Sequence, residues 1–326
     1  MHADLSQRGA TELLQAIAAY LKDLTNPISA NNLSHLVQEI LECANINLPL
    51  ALEEFGLCIQ RWCPIMLEQY LRGGTSDLSE QTKSADVWKG PLLWLCLWLV
   101  TRRTCAQREH IERSELYRTM KQVFALLQSL TELHLEAVQL SMLVTVYEVG
   151  HGLQIQACQT LAGSVALLRM LWFAARKGKD TELLKTVEWL QVSMLMLDRY
   201  VVLHASSYAT DRPSMIPISL TSGSISMTIL SSDPISKMVA KTIGPDLPAP
   251  SPQPYASSPR KVHIRAAVSL ASGHVQEYIH ARHHQLEPEE AYDRVDEMIN
   301  ECIKTLVDKL EPRTWLHCGA IAMALW

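Results

Sequence analysis

From Ser114 to His204 apolar residues return every three or four positions, and this run constrains the fold more than any other feature of the chain. A 3.6-residue period sustained for that length builds amphipathic helices; a strand would need alternation every two residues. The first helix is expected from Ser114 through Gly150, with a weak break near Thr131. Leu116, Met120, Phe124, Leu127, Leu133, Leu140, Val144 and Tyr147 line its apolar face. Gly150 and Gly152 are expected to stop it, because glycine accepts the left-handed backbone that ends a helix. A second helix is expected over Gln154 to Lys177, with Ala157, Leu161, Val165, Leu168 and Trp172 on one face and Gly178 closing it. Asp180 and Thr181 are the expected caps of a third, in which Leu184, Val187, Leu190, Met194, Leu197 and Val201 fall in line.

The flanking segments read the same way. Upstream, helices are expected over 10–24 (Leu13, Ile17, Tyr20, Leu21 and Leu24 inward), 33–43, 49–71 with a kink at Pro64, and 87–100. Downstream of the core, Ser, Thr and Pro dominate 206–259, where repeated prolines forbid long helices. Helical spacing resumes over 261–284, with Ile264, Val268, Val275 and Ile279 facing inward, then over 289–309 and from Thr314 to the last residue. No strand set and no fixed-period repeat is present, so the fold class is all-α. The expected organisation is one helical domain: N-terminal helices over 1–105, a central three-helix core over 106–204, a Ser/Pro-rich loop over 205–260, and C-terminal helices over 261–326.

Composition narrows the chemistry. The chain has 326 residues, is 48% hydrophobic and carries a formal charge of −5, which argues against a general nucleic-acid surface. Its eight cysteines form no Cys-x-x-Cys pair, so they read as reduced core thiols and not as a zinc cluster, whose thiolates must lie close enough to surround one ion. The most apolar run, Pro91 to Val100, is too short to span a bilayer, which needs about 20 residues. No membrane association is expected.

Several stretches resemble the regulatory domain, or middle homology region, of fungal-specific zinc-cluster transcription factors. They are "ELYRTMKQVFALLQSL", "VQLSMLVTVYEVGHG", "EWLQVSMLMLDRY", "RPSMIP" at Arg212 to Pro217 and "CGAIAMAL" at Cys318 to Leu325. The positions that carry the likeness are Leu116, Tyr117, Lys121 and Phe124 to Gln128, then Tyr147, Glu148, Gly150, His151 and Gly152, then Leu197, Asp198 and Arg199. One departure is that the family's Arg-Arg-x-Trp-Trp run is replaced by Val187-Glu188-Trp189-Leu190-Gln191. The resemblance implies an all-helical domain that restrains or relays transcriptional activation and, in some members, answers to a small-molecule effector. It further implies nuclear location, protein partners or a homodimer, and DNA contact only through a missing six-cysteine zinc cluster or a partner. By analogy the regulated genes would belong to a secondary-metabolite cluster. Met1 opens directly on domain-like sequence and Trp326 falls inside an apolar helical pattern, so the chain is expected to be either a fragment of a longer frame or a regulator that has lost its DNA-binding module and C-terminal continuation.

Other motifs in the chain have plain structural readings. His280 and His284 share a helix face with Glu277 one turn earlier and His283 beside them, but solvated histidines near a helix end explain the cluster; no metal and no cofactor are expected. Glu148 and His151 are an acid–base pair by type, yet lack a nucleophile or metal, and a helix end explains "YEVGHG" equally well. Asp198 or Arg199 is expected to tie a loop backbone to a helix end. The chain has no Asp-Asp pair, no Gly-rich phosphate loop and no Gly-x-Ser-x-Gly elbow, so no catalytic residue is assigned and the enzyme reading ranks last, behind a DNA-independent helical scaffold. Ser258, followed by Pro259, has the form of a proline-directed phosphorylation site in the Ser/Pro-rich segment.

Overall fold

The computed structural model describes residues 2–22, 115–128, 135–204 and 259–287, most of 292–300, and scattered positions between 39 and 65. Of these residues 89% are helical and none forms a strand, so the fold is all-α. The long helices are α1 (His2–Lys22), α2 (Glu115–Gln128), α3 (Leu135–Gly150), α4 (Gln154–Gly178), α5 (Thr181–His204) and α6 (Pro259–His283). The chain divides into two compact units, one of Met1–Ile59 with Ile65–Ala174, the other of Gln60–Pro64 with Ala175–Trp326. The expected helices over 33–43, 49–71, 87–100, 289–309 and from Thr314 lie wholly or largely outside the described residues, as do the 206–258 segment and Ser258.

In the first unit, α1 packs along α2. It begins at His2, earlier than the apolar pattern announces. Its buried residues are Ala10, Thr11, Leu14, Ile17 and Ala18, whereas Leu13 is only half-buried. Of the expected inward face, Ile17 is buried, and Tyr20, Leu21 and Leu24 lie outside the residues whose side chains are described. On α2, Leu116, Tyr117, Thr119, Met120, Val123 and Phe124 are buried.

The helix expected over 114–150, with its weak break near Thr131, is two helices separated across that break, and their far ends meet. Tyr117 and Glu148 stand 31 positions apart and their side chains touch. A continuous helix would hold them about 46 Å apart at 1.5 Å per residue. The chain therefore reverses between Gln128 and Leu135. Leu133 keeps the apolar period alive through that reversal, which is why periodicity alone runs the two helices together.

Helix α3 is the centre of the first unit. Val138 to Thr145 are all buried without a break, so it is enclosed on every side rather than on one stripe. Helix α4 buries Ala157, Leu161, Val165, Leu168, Leu171 and Trp172 on the face the pattern indicates. It is also long and apolar enough to cross a membrane, though half of the relevant window is buried within the protein.

Helix α5 plays the corresponding part in the second unit. Ser193 to Arg199 are all buried, followed by Val201 and Val202. Helix α6 packs against it. Pro259 occupies the first position of α6, where its missing N–H costs nothing. Of the face expected inward, Ile279 is about half exposed and Val275 half-buried, while the side chains of Ile264 and Val268 lie outside the described residues. Among the described positions the buried ones are Ser269 and Gly273, small residues one turn apart.

Three helix ends share one construction. At α3, the Gly152 N–H donates to the Val149 carbonyl and the Leu153 N–H to the Glu148 carbonyl, with Gly152 left-handed at φ 75°. At α4, Lys179 donates to Arg176 and Asp180 to Ala175; at α6, Gln285 donates to Arg282 and Leu286 to Ala281. This paired bonding satisfies the last carbonyls of the helix. Gly152 does the stopping, while Gly150 stays inside α3. At α4 the left-handed residue is Lys179, at φ 54°, and not Gly178. Asp180 then caps α5, its Oδ1 accepting from the Leu183 N–H at 3.0 Å.

Candidate functional site

Among the described residues, charged side chains are buried at two places, near the C-terminal ends of the two enclosed helices. The first is Glu148, fully buried in the last turns of α3. A carboxylate there faces the negative end of the helix dipole and has lost its water, so it needs strong donors. Helix α2 supplies two, four residues apart on one face. The Tyr117 hydroxyl donates to Glu148 Oε1 at 2.6 Å, and Lys121 Nζ donates to the same oxygen at 2.9 Å. Lys121 Nζ also donates to Thr160 Oγ1 on α4 at 2.7 Å. One cluster thus holds α2, α3 and α4. Glu148 is wholly enclosed while Lys121 keeps about a third of its side chain exposed, so the ammonium is the cluster's opening to solvent.

An aromatic stack leans on this cluster. Tyr147 stacks on Tyr117 with ring centroids 5.8 Å apart and on His151 at 3.8 Å. His151 Nδ1 lies 2.8 Å from the Tyr147 carbonyl, to which its N–H donates. Burial pushes the His151 pKa below its ordinary value of 6.5, and the bond to Tyr147 partly offsets that. The Ser164 hydroxyl on α4 lies 2.5 Å from the Ser141 hydroxyl on α3 and 2.9 Å from the Thr160 carbonyl; its single proton goes to one of them, and a hydroxyl oxygen can also accept. These hydroxyls line the meeting of α3 and α4 with satisfied polar groups.

The second place is Asp198–Arg199 on α5. Arg199 is the largest fully buried side chain among the described residues. Its Nη1 donates to Asp198 Oδ2 at 2.7 Å and its Nε to the Ser269 carbonyl at 3.3 Å. Gln276 Nε2 donates back to the Arg199 carbonyl at 3.4 Å. Burial lowers the guanidinium pKa, while Asp198 and Glu277 oppose the shift. Asp198 and Arg199 thus tie α5 to α6. Among the described residues, the backbone that Arg199 holds is that of helix α6, at Ser269.

Glu148 and His151, paired by type in the sequence, are not joined: Glu148 turns to α2 and His151 to its own helix. Gly150 is exposed at the helix end, and Gly152 carries the turn. His280 and His284 bring their rings to 4.4 Å, and His283 and His284 to 5.1 Å, at the exposed end of α6. Among the described residues no group of three or more His, Cys, Asp or Glu is placed to hold a metal ion. Cys63 and Cys158 are free and buried; the Cys63 thiol donates to the Ser193 carbonyl at 3.6 Å.

Periodicity does not single out Thr160, Ser141, Ser164, Ser269 or Gln276. Ser141, Thr160 and Ser164 are polar residues on faces that otherwise read as core, and that is the signal the sequence offers for them; Ser269 and Gln276 lie off the apolar face of α6 and carry no such signal. Comparison with protein-family models, with curated proteins and with solved structures finds no match.

Proposed function

We propose that this chain is the helical regulatory domain of a transcriptional regulator of the fungal zinc-cluster type, acting in the nucleus on a secondary-metabolite gene cluster. The observation that supports this reading best is the meeting of Tyr117 and Lys121 with Glu148. These residues belong to two of the stretches that resemble the family, and side-chain bonds between them suit a domain whose work is done by helix arrangement. Asp198 and Arg199, from a third such stretch, make the corresponding tie between α5 and α6. DNA is reached through a partner or a zinc-cluster module on another segment, consistent with the formal charge of −5.

In this reading the two buried charged ties define one packed state of the helices. A small-molecule effector acts by favouring that state or an alternative, and shifts the balance only by the difference in its affinity for the two. The test places the chain between a heterologous DNA-binding domain and an activation domain in a reporter strain. A regulatory domain changes output by about fivefold or more, the scale of ordinary allosteric coupling. Glu148→Gln and Arg199→Met then alter that change at equal protein level. A reporter indifferent to the chain and to both variants sinks the proposal. Indifference together with stable capture of a defined protein partner would favour the DNA-independent scaffold.

A further inference from the structure

Helix α4 carries an exposed face that is apolar and self-complementary. Ile155, Gln159, Ala162, Ala166, Arg169, Met170 and Phe173 are all exposed, and at 100° per residue they fall on one stripe. Ile155, Met170 and Phe173 are 55%, 46% and 46% exposed, unusual for side chains of this size. Within the stripe the order is large, polar, small, small, polar, large. Ile155 and Phe173 stand equally far from position 164, as do Gln159 and Arg169, and Ala162 and Ala166.

We infer that this face is a two-fold interface with a second copy of the chain, the two α4 helices running antiparallel about an axis at the level of Ser164. A two-fold contact sets one patch against itself, so each residue must suit its mirror position. Here Ile155 meets Phe173 of the second copy at both ends. Ala162 meets Ala166 at the centre, where small side chains permit an interaxial distance near 8 Å. Gln159 meets Arg169, and its amide oxygen accepts from the guanidinium.

Charge selects the direction. Helix α4 has basic residues at Arg169, Arg176 and Lys177 and no acidic one. A parallel pair would lay Arg169 on Arg169. The antiparallel pair separates the two guanidinium-bearing positions by about 15 Å along the axis, beyond the screening length of physiological salt. The face runs about 27 Å over five turns. That is less than a standard protein interface, so the dimer is a reversible one that forms with rising concentration. The inference does not depend on the transcriptional reading.

Sedimentation of the full chain across a concentration series tests it. A monomer–dimer equilibrium is expected, and Ala162→Glu with Ala166→Glu raises the dissociation constant at least about tenfold, because four carboxylates then crowd the centre of the contact. Both positions are exposed, so the circular dichroism spectrum and melting temperature serve as the folding control. Direction is read by disulfide capture. Gln159→Cys mixed with Arg169→Cys forms an intermolecular bond above the wild-type background, while either variant alone does not, since its own copies place that position about 15 Å apart. A chain that stays monomeric, a dimer indifferent to the two glutamates, or capture by Gln159→Cys alone would each overturn the proposal. A monomer that binds acidic amphipathic peptides on this face would assign it to another partner.

Discussion

Tyr117 gives its phenolic proton to Glu148 at 2.6 Å across 31 positions of chain, and that one bond closes α2 onto α3. The acceptor is fully buried, so its carboxylate is held by the donors it meets. Tyr117→Phe removes one donor and leaves the ring stack in place; it should cost about 1–3 kcal/mol, the usual cost of a buried acceptor that loses a partner. Lys121→Met removes the compensating charge. Its loss should cost about as much but less than a fully enclosed pair, because the ammonium is partly open to water. Glu148→Gln with Lys121→Met should be milder than Lys121→Met alone, since no buried charge remains. Urea titrations of the wild type and the three variants check the order, and a double variant less stable than Lys121→Met alone would refute the clamp.

The Asp198–Arg199 pair makes a sharper case because both groups are enclosed. Arg199→Met removes the buried guanidinium whose Nη1 donates to Asp198 Oδ2 and should destabilise the second unit by about 3–5 kcal/mol. Arg199→Lys should rescue little, since an ammonium cannot reach both Asp198 and the Ser269 carbonyl in the geometry of the guanidinium fork. Asp198→Asn combined with Arg199→Met should recover part of the loss. Thermal melts of the three variants decide this: equal melting temperatures for Arg199→Met and the double variant would show that Asp198 is not held by its neighbour.

His151 supplies a pH dependence with a definite sign. Its folded-state pKa lies below the ordinary 6.5, because burial disfavours the imidazolium. The unfolded chain therefore binds more protons in the interval between the two values, and stability rises with pH across it. The contribution is complete above about pH 6.5 and is lost as pH falls through the folded pKa. His151→Gln should flatten this slope. Stability of the wild type and variant measured from pH 8 to pH 5 should converge toward the acid end; parallel curves would remove His151 from the account.

Much of this was legible in the sequence, and the limits have physical causes. The all-α class and the course of α4 and α5 follow from apolar spacing, because helices of that length must bury a face. The reversal between α2 and α3 does not, since Leu133 continues the period and periodicity carries no record of direction. Tyr117 and Lys121 share a helix face by spacing, but nothing local says that their partner is Glu148. On α6, Ser269, whose carbonyl accepts from Arg199, and Gly273 are buried although hydropathy ranks such small residues as surface.

The helix ends allow opposite predictions for two glycines two residues apart. Gly150 lies in α3 without a left-handed backbone, and a Cβ there would meet nothing within 4 Å. Gly150→Ala should therefore stabilise the chain by about 0.5–1 kcal/mol, by restricting the unfolded state at no cost to the folded one. Gly152 is left-handed at φ 75°, so Gly152→Ala should destabilise by about 1 kcal/mol or more. The argument runs in reverse where ordinary residues hold that conformation. Lys179→Gly and Gln285→Gly relieve a left-handed backbone at φ 54° and 57°. Their gain should reach at most about 1 kcal/mol, because glycine also frees the unfolded chain. Denaturant midpoints for the four variants should move up for Gly150→Ala and down for Gly152→Ala. If both glycine variants moved the same way, the stop at Gly152 would not be the element that ends α3.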